Sequence, residues 1–131
     1  MSYLLDTNIC IYYMKGKFSL IERFDQIRLE DRFISEISLA ELKFGVQNSQ
    51  YPEKNQAALL KFLECVQVLA ISSAIDFYSF EKARLRKTGF AVDDFDLLIG
   101  STAVVNGLTL VTNNERHFFR IKGIQIVNWI N

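Results

Sequence analysis

The sequence predicts a single α/β domain built on a parallel sheet. Three observations carry this. The chain has 131 residues, which is one domain's worth. Short β-branched or apolar runs alternate with longer helical patterns along its whole length. With 50% hydrophobic residues and a single Pro, it is too apolar and too free of breakers for a disordered or low-complexity chain.

Tyr3 to Leu5 is a short apolar run that ends at Asp6. Thr7 and Asn8 can both cap, and Ile9 to Met14 reads as a helix stopping near Gly16. Ser19 to Ile27 is a second helical pattern, and Phe33 to Ile37 is strand-like. Ser38 to Val46 opens on Ser-Leu-Ala-Glu, a capping-box pattern. Pro52 suits the first turn of the next helix, whose apolar face is Leu59, Leu60, Phe62 and Leu63. Val66 to Ile71 is β-branched and extended. Ser73 to Lys87 is helical, with Ala74, Phe77, Tyr78 and Leu85 on one arc, and Gly89 ends it. Leu97 to Val105 is apolar nearly all round, as a buried central helix should be. Leu108 to Val111 and Gln125 to Val127 complete the strands. No repeat or linker interrupts the expected domain, residues 1–131.

Composition narrows the function. Fifteen basic and fifteen acidic residues give zero net charge, so any nucleic-acid footprint must be a local patch. Cys10 and Cys65 lie in no metal-binding spacing and read as buried thiols of a reducing compartment. The N-terminus lacks the basic region and cleavage site of a signal peptide, and no run of about 20 apolar residues suggests a membrane span. A cytoplasmic protein with no membrane partner is expected. His117 is the only histidine, which excludes a two-histidine ribonuclease chemistry.

The parallel topology places acids together. In such a sheet, ligands bind at the edge where the strands' C-terminal ends lie. Asp6 ends the first strand, and Glu41 lies one turn into the helix after the second. Asp96 opens the helix before the fourth strand, which runs antiparallel to the strands. Thr112, Asn113, Asn114 and Glu115 follow the fourth strand. The helix ending at Lys87 is roughly 24 Å long, and Gly89 to Phe95 can span about 23 Å, so the chain can return to that edge. Three carboxylates within about 4 Å would cost about 4 kcal/mol per pair at an effective dielectric near 20. A divalent cation removes that cost, and all-oxygen ligands suit Mg²⁺ or Mn²⁺ rather than zinc. The chemistry that follows is metal-assisted hydrolysis of a phosphodiester.

Four segments in register resemble the PIN-domain ribonucleases, and more narrowly the VapC toxins of VapBC toxin–antitoxin modules: YLLDTNICI from Tyr3, ISLAELKFG from Ile37, FDLLIG from Phe95, and LTLVTNN from Leu108, followed by Arg116 and Phe118. The likeness runs to Gly123 and Trp129. It implies a five-stranded parallel sheet of order 3-2-1-4-5 and Mg²⁺- or Mn²⁺-dependent endonucleolytic cleavage of RNA, frequently tRNA. It also implies a homodimer and a VapB-type antitoxin that blocks the site. Carried over by position, the catalytic and metal-binding acids are Asp6, Glu41 and Asp96, with Asn8 and Thr112 beside them. Many relatives place a fourth Asp where this chain has Asn114; its amide cannot act as a base, and Glu115 could fill that role. Relatives also tend to read TNNxxEF, where this chain has His117 before Phe118. The loop before Asp96, often PIGPxD, here reads Ala91, Val92, Asp93, Asp94, Phe95, and its two acids are either secondary ligands or simply exposed.

Plainer roles compete at each position. Asp6 and Asp96 could be helix caps, Glu41 could belong to the Ser38 capping box, Asn114 could close an Asx turn, and Glu115 could be a solvated acid. His117 reads as a rim or structural residue. Lys82, Arg84, Arg86 and Lys87 form either a solvated helix face or a phosphate-binding one. Arg116, Arg120 and Lys122 adjoin the proposed site and are the other RNA-binding candidates. Tyr12, Tyr13 and Phe44 could stack on bases but fit core or dimer packing better. A receiver domain lacks its acceptor Asp, because the third strand ends in Ala70-Ile71-Ser72-Ser73. A haloacid-dehalogenase phosphatase lacks the second Asp of DxD. A catalytically inactive PIN-like scaffold that binds RNA or protein is the remaining alternative.

Overall fold

The computed structural model describes residues 1–130; Asn131, the last residue of the expected domain, lies outside the described residues. Five strands form one sheet in the order β3-β2-β1-β4-β5, and every pairing is parallel. The strands are β1 (Tyr3–Leu5), β2 (Arg32–Ser35), β3 (Gln67–Leu69), β4 (Thr109–Val111) and β5 (Ile126–Val127). The helices are α1 (Thr7–Met14), α2 (Leu20–Asp25), α3 (Glu36–Gln47), α4 (Pro52–Leu63), α5 (Ile75–Lys87) and α6 (Asp94–Val105). The expected class and strand order hold.

Alternation along β1 and β4 divides the core into two layers, because successive side chains of a strand face opposite ways. Leu5 and Val111 join Ile9, Phe24, Ile34, Leu59, Phe62 and Trp129 beneath α1 to α4. Leu4 and Leu110 join Leu85, Leu97, Ile99, Phe118 and Ile121 beneath α5 and α6. The two central strands are therefore covered on both faces, as a parallel sheet requires. No helix among the described residues is long and apolar enough to cross a membrane.

Several expected boundaries move for identifiable reasons. Helix α3 begins at Glu36, not Ser38, because Ser35 ends β2 and caps the helix: its hydroxyl accepts from the Ile37 amide at 3.0 Å. Glu36 and Ile37 are thus helical rather than extended, and Ser38-x-x-Glu41 is not a capping box. The cap of α1 is Asp6 itself, which accepts from the Thr7 amide, so neither Thr7 nor Asn8 caps. Asp93 caps α6 by accepting from the Phe95 and Asp96 amides, so Asp96 sits inside the first turn and does not open the helix. The return from α5 lands Asp94 against Tyr78 and Lys82, at 2.9 and 2.8 Å from its Oδ1. That is part-way along α5, which shortens the distance the link must cover.

Both cysteines are free thiols; Cys10 is buried, and burial pushes its thiol above the ordinary range, while Cys65 is half-buried. Tyr13 packs against Phe24 and Phe62, on the core side, and Phe44 is exposed.

Candidate active site

The C-terminal edge of β1 and β4 is where the acids gather. Asp6 follows β1 directly and is only 5% exposed. Its Oδ1 accepts from the Thr7 amide at 2.8 Å, and its Oδ2 accepts from the Thr112 hydroxyl at 2.8 Å. Thr112, fully buried just past β4, also accepts from the Asn114 amide at 2.9 Å. This closes the turn at Asn114 with a threonine side chain rather than the Asn114 side chain. Burial raises the Asp6 carboxyl above its usual range, and the hydrogen bonds from Thr112 and Thr7 oppose that rise.

Thr7 joins the second acid to the first. Its hydroxyl donates to Glu41 Oε1 at 2.7 Å and lies 2.9 Å from the Ser38 hydroxyl. A threonine hydroxyl has one proton, so with that proton on the carboxylate, Ser38 is the donor of the second bond. Glu41 and Ser38 lie one helical turn apart in α3, on the face turned toward α1. The sequence alone offers Thr7 as a helix cap and Ser38 as the start of a capping box, not as partners of an acid at the edge. The signal available was the residue after the strand-ending acid, which α1 must turn toward the same edge.

Asp96 comes from the first turn of α6. Its pKa is pushed up to about 6, chiefly by burial and then by the negative charges of Asp6 and Asp93, with His117 opposing. Asp6 and Asp96 thus sense each other's charge. The His117 Nδ1 lies 3.2 Å from Asp96 Oδ2, at the exposed rim. Among the described residues, Asp6, Glu41 and Asp96 form no ion pair with any lysine or arginine.

The other candidates divide. Asn8 is exposed on the first turn of α1, Glu115 is exposed in the 3₁₀ turn Glu115–His117, and Asn114 is half-buried. Asp93 acts as a cap. Arg116 and Arg120 line a cavity of about 260 Å³ together with Asp93, Asp96 and His117. Arg86 and Lys87 are exposed near the end of α5, as is Lys122 beyond the 3₁₀ turn. The solvated or phosphate-binding face expected on α5 is smaller than its sequence suggests. Arg84 makes two bonds of 2.6 and 2.8 Å to the buried Glu81, and Lys82 pairs with Asp94 at 2.8 Å.

The donor set fits a hard divalent cation. Asp6, Glu41 and Asp96 offer carboxylate oxygens, Asp6 and Asp96 repel each other, and the side-chain oxygen of Asn113, next to Thr112 in the chain, is buried with no hydrogen-bond partner among the described residues. Among the described residues no three His, Cys, Asp or Glu side chains converge closely enough to cage an ion unaided. A Mg²⁺-like ion does not need such a cage, since it is commonly held by one or two carboxylates and keeps several waters.

Comparison with known proteins agrees with this geometry. The PIN domain family model matches residues 3–124. The chain is 38% identical to the ribonuclease VapC2 of Rickettsia felis and 37% identical to the tRNA(fMet)-specific endonuclease VapC of Shigella flexneri, covering 98% of both chains in each case. It superposes with a TM-score of 0.91, at 36% identity over 98% of each chain, on the crystal structure of DNA-bound VapBC from Salmonella typhimurium. An acidic strand edge, a parallel sheet of order 3-2-1-4-5 and full-length similarity to these proteins lead to one assignment: the chain belongs to the PIN-domain family, among the VapC ribonucleases.

Proposed function

We propose that this protein is a metal-dependent endoribonuclease, the toxin of a toxin–antitoxin pair, that cleaves RNA of the tRNA class and so arrests translation and growth. The observation that carries this reading is the pair Asp6 and Asp96, brought together at the sheet edge with their charges uncompensated by lysine or arginine. Such a pair is relieved by a proton at low pH and by a bound cation at neutral pH. We assign Asp6, Glu41 and Asp96 to that cation, with waters of the ion completing the shell where the three side chains do not converge, and Mg²⁺ or Mn²⁺ is the ion their oxygens suit. When bound, that ion activates a water and offsets the charge that develops on the attacked phosphate.

The chain's own residues prepare the site. Thr112 fixes Asp6 Oδ2 and Thr7 fixes Glu41 Oε1, so each acid is held in one rotamer before an ion arrives. This arrangement lowers the reorganisation that binding would otherwise require. Asn8, Asn114 and Glu115 lie within the same edge and serve as outer-shell candidates. Arg116, Arg120 and Lys122, with Arg86 and Lys87 farther along, supply positive charge for the RNA backbone.

The names of the relatives support the rest. One is a tRNA(fMet)-specific endonuclease, and the structural neighbour from Salmonella is a VapBC complex. We therefore extend to this protein a VapB-type antitoxin partner, a homodimeric toxin, a cytoplasmic site of action and a single PIN domain over residues 1–131. The test is cleavage of a tRNA(fMet) transcript by the purified chain. Wild type should cut with Mg²⁺ or Mn²⁺ and stop in EDTA, and Asp6→Asn and Asp96→Asn should remain folded by circular dichroism without cutting. Undiminished cleavage by the double variant would overturn the assignment.

A further inference from the structure

The loop Phe90–Asp93 stands between two cavities and lines both. On one side is the space of about 260 Å³ that contains Asp96, Arg116 and Arg120. On the other is a space of about 380 Å³ bounded by Lys82, Arg86 and Leu97. Together they make a track that starts at the acidic edge, crosses the loop and ends among cations on α5. Two large aromatic side chains stay outside the core here: Phe90, which lines both spaces, is 43% exposed, and Phe119, which packs beside Arg120, is 56% exposed.

Arg120 is held between them. Its guanidinium carbon lies 3.2 Å from the Phe90 ring centroid and 4.9 Å from that of Phe119. The segment that carries Arg120 is clamped to α5 by its backbone. The Arg120 carbonyl accepts from Arg84 at 2.9 Å, and the Lys122 amide donates at 2.7 Å to Glu81, a carboxylate only 1% exposed. Arg84 closes the clamp on the same Glu81. The stack is therefore preorganised: a cation seated over one ring, making no ion pair with a carboxylate among the described residues, beside exposed aromatic surface.

Aromatic faces next to guanidinium groups are the chemistry that holds unpaired nucleotides, because every base has a face to stack and every linkage a charge to neutralise. Arg116 and Arg120 line the first space and Arg86 the second, so positive charge recurs along the track as the repeating phosphates of a nucleic-acid strand require. We propose that Phe90, Phe119 and Arg120 form a stacking subsite for an unpaired nucleotide next to the scissile phosphate. The RNA strand then continues over the Phe90–Asp93 loop toward Arg86. This rests on the ribonuclease reading and adds to it the side chains that hold the nucleotide beside the cut.

The test combines steady-state cleavage of a tRNA(fMet) transcript with fluorescence of the same RNA carrying 2-aminopurine beside the cut site, the latter in the Asp6→Asn background. Phe90→Ala and Phe119→Ala should each raise KM by about 5- to 150-fold, the range alanine substitution of a stacking residue produces, with kcat nearly unchanged. Each should also relieve the quenching of 2-aminopurine. Phe90→Trp should restore both, and Arg120→Lys, which keeps the charge and loses the plane, should rescue only in part. Wild-type cleavage with unchanged KM and quenching in both alanine variants overturns the subsite alone, and so does a fall in kcat without a rise in KM. A wild-type protein that cuts no RNA overturns the ribonuclease reading, and the subsite falls with it.

Discussion

The Thr112 hydroxyl donates to Asp6 Oδ2 at 2.8 Å, and both partners are buried at the adjoining ends of β4 and β1. With the bond from the Asp6 amide to the Val111 carbonyl at 2.9 Å, it ties the acid that follows the first strand to the last motif, 106 residues away.

Thr112→Val keeps the shape and removes that donor, together with the acceptor used by the Asn114 amide. A hydrogen bond to a charged group is worth about 1.5–3 kcal/mol, so a loss of that order is expected at neutral pH. The sign of the pH dependence follows from Asp6. Thr112 favours the ionised carboxylate, so its loss drives the Asp6 pKa further up. The deficit should shrink below about pH 4, where the acid is protonated in either protein. Urea unfolding at pH 7.5 and pH 3.5 measures both, and Thr112→Ser should recover most of the difference.

Asp96 should act against the stability of the ion-free protein. Its folded pKa is about 6 against an ordinary 3.8, so the native state binds the proton more tightly than the unfolded chain does. Stability from this group is fully present below pH 4 and is lost as pH rises through 6, up to about 3 kcal/mol in all. Asp96→Asn removes the charge and should raise the Tm in EDTA at pH 8 while leaving it unchanged near pH 3.5. Added Mn²⁺ should then raise the Tm of wild type and not that of the variant. Equal Tm values in EDTA at pH 8 would show that Asp96 carries no such penalty.

How much of this was legible in the sequence depends on how local each cause is. Asp6 directly follows a three-residue strand, and its place at the edge follows from chain order once the sheet is parallel. The approach of α3 and α6 to the same edge follows from the same argument, which is why Glu41 and Asp96 could be named as candidates from chain order alone. The start of α3 was misplaced because β2 passes into the helix with no loop: Ser35 serves both elements, and the later Ser38 offers a plausible but false cap. Thr7 was missed because its role is to join Glu41 across 34 residues. The Phe90–Arg120 stack and the Glu81–Arg84 clamp are likewise contacts between elements, which periodicity along one helix cannot reveal. Arg84 looked solvated for that reason.

The clamp itself makes a prediction about acid stability. Arg84 and the Lys122 amide hold the Glu81 carboxyl below the usual range, with burial opposing. A depressed folded pKa gives stability that is present above the ordinary glutamate value and is lost as pH falls through the folded one. Glu81→Gln should therefore flatten the acid limb of the stability profile between about pH 5 and pH 3. Glu81→Ala should cost about 1–3 kcal/mol at pH 7, since it leaves the Lys122 amide without its acceptor. Chemical denaturation across that pH range distinguishes the two effects.

Gly100 marks where α6 meets the C-terminal segment most closely. A Cβ built there would collide with Ile121 Cδ1 and would touch Phe118 Cδ1 at 3.5 Å. Ile121 is 2% exposed and Phe118 fully buried, so neither side chain has free space to move into. Gly100→Ala should thus destabilise by about 1–3 kcal/mol, the usual cost of an added methyl in a packed core, despite the better helix propensity of alanine. Ile121→Val deletes the colliding Cδ1 atom and by itself should cost about 0.5–1.5 kcal/mol. The double variant should be more stable than the sum of the two losses implies, with a coupling of at least about 0.5 kcal/mol. Strict additivity in urea unfolding would mean that α6 shifts away from Ile121 instead. Such a shift would also displace Asp96, and metal affinity would then fall in Gly100→Ala even in the presence of the second change.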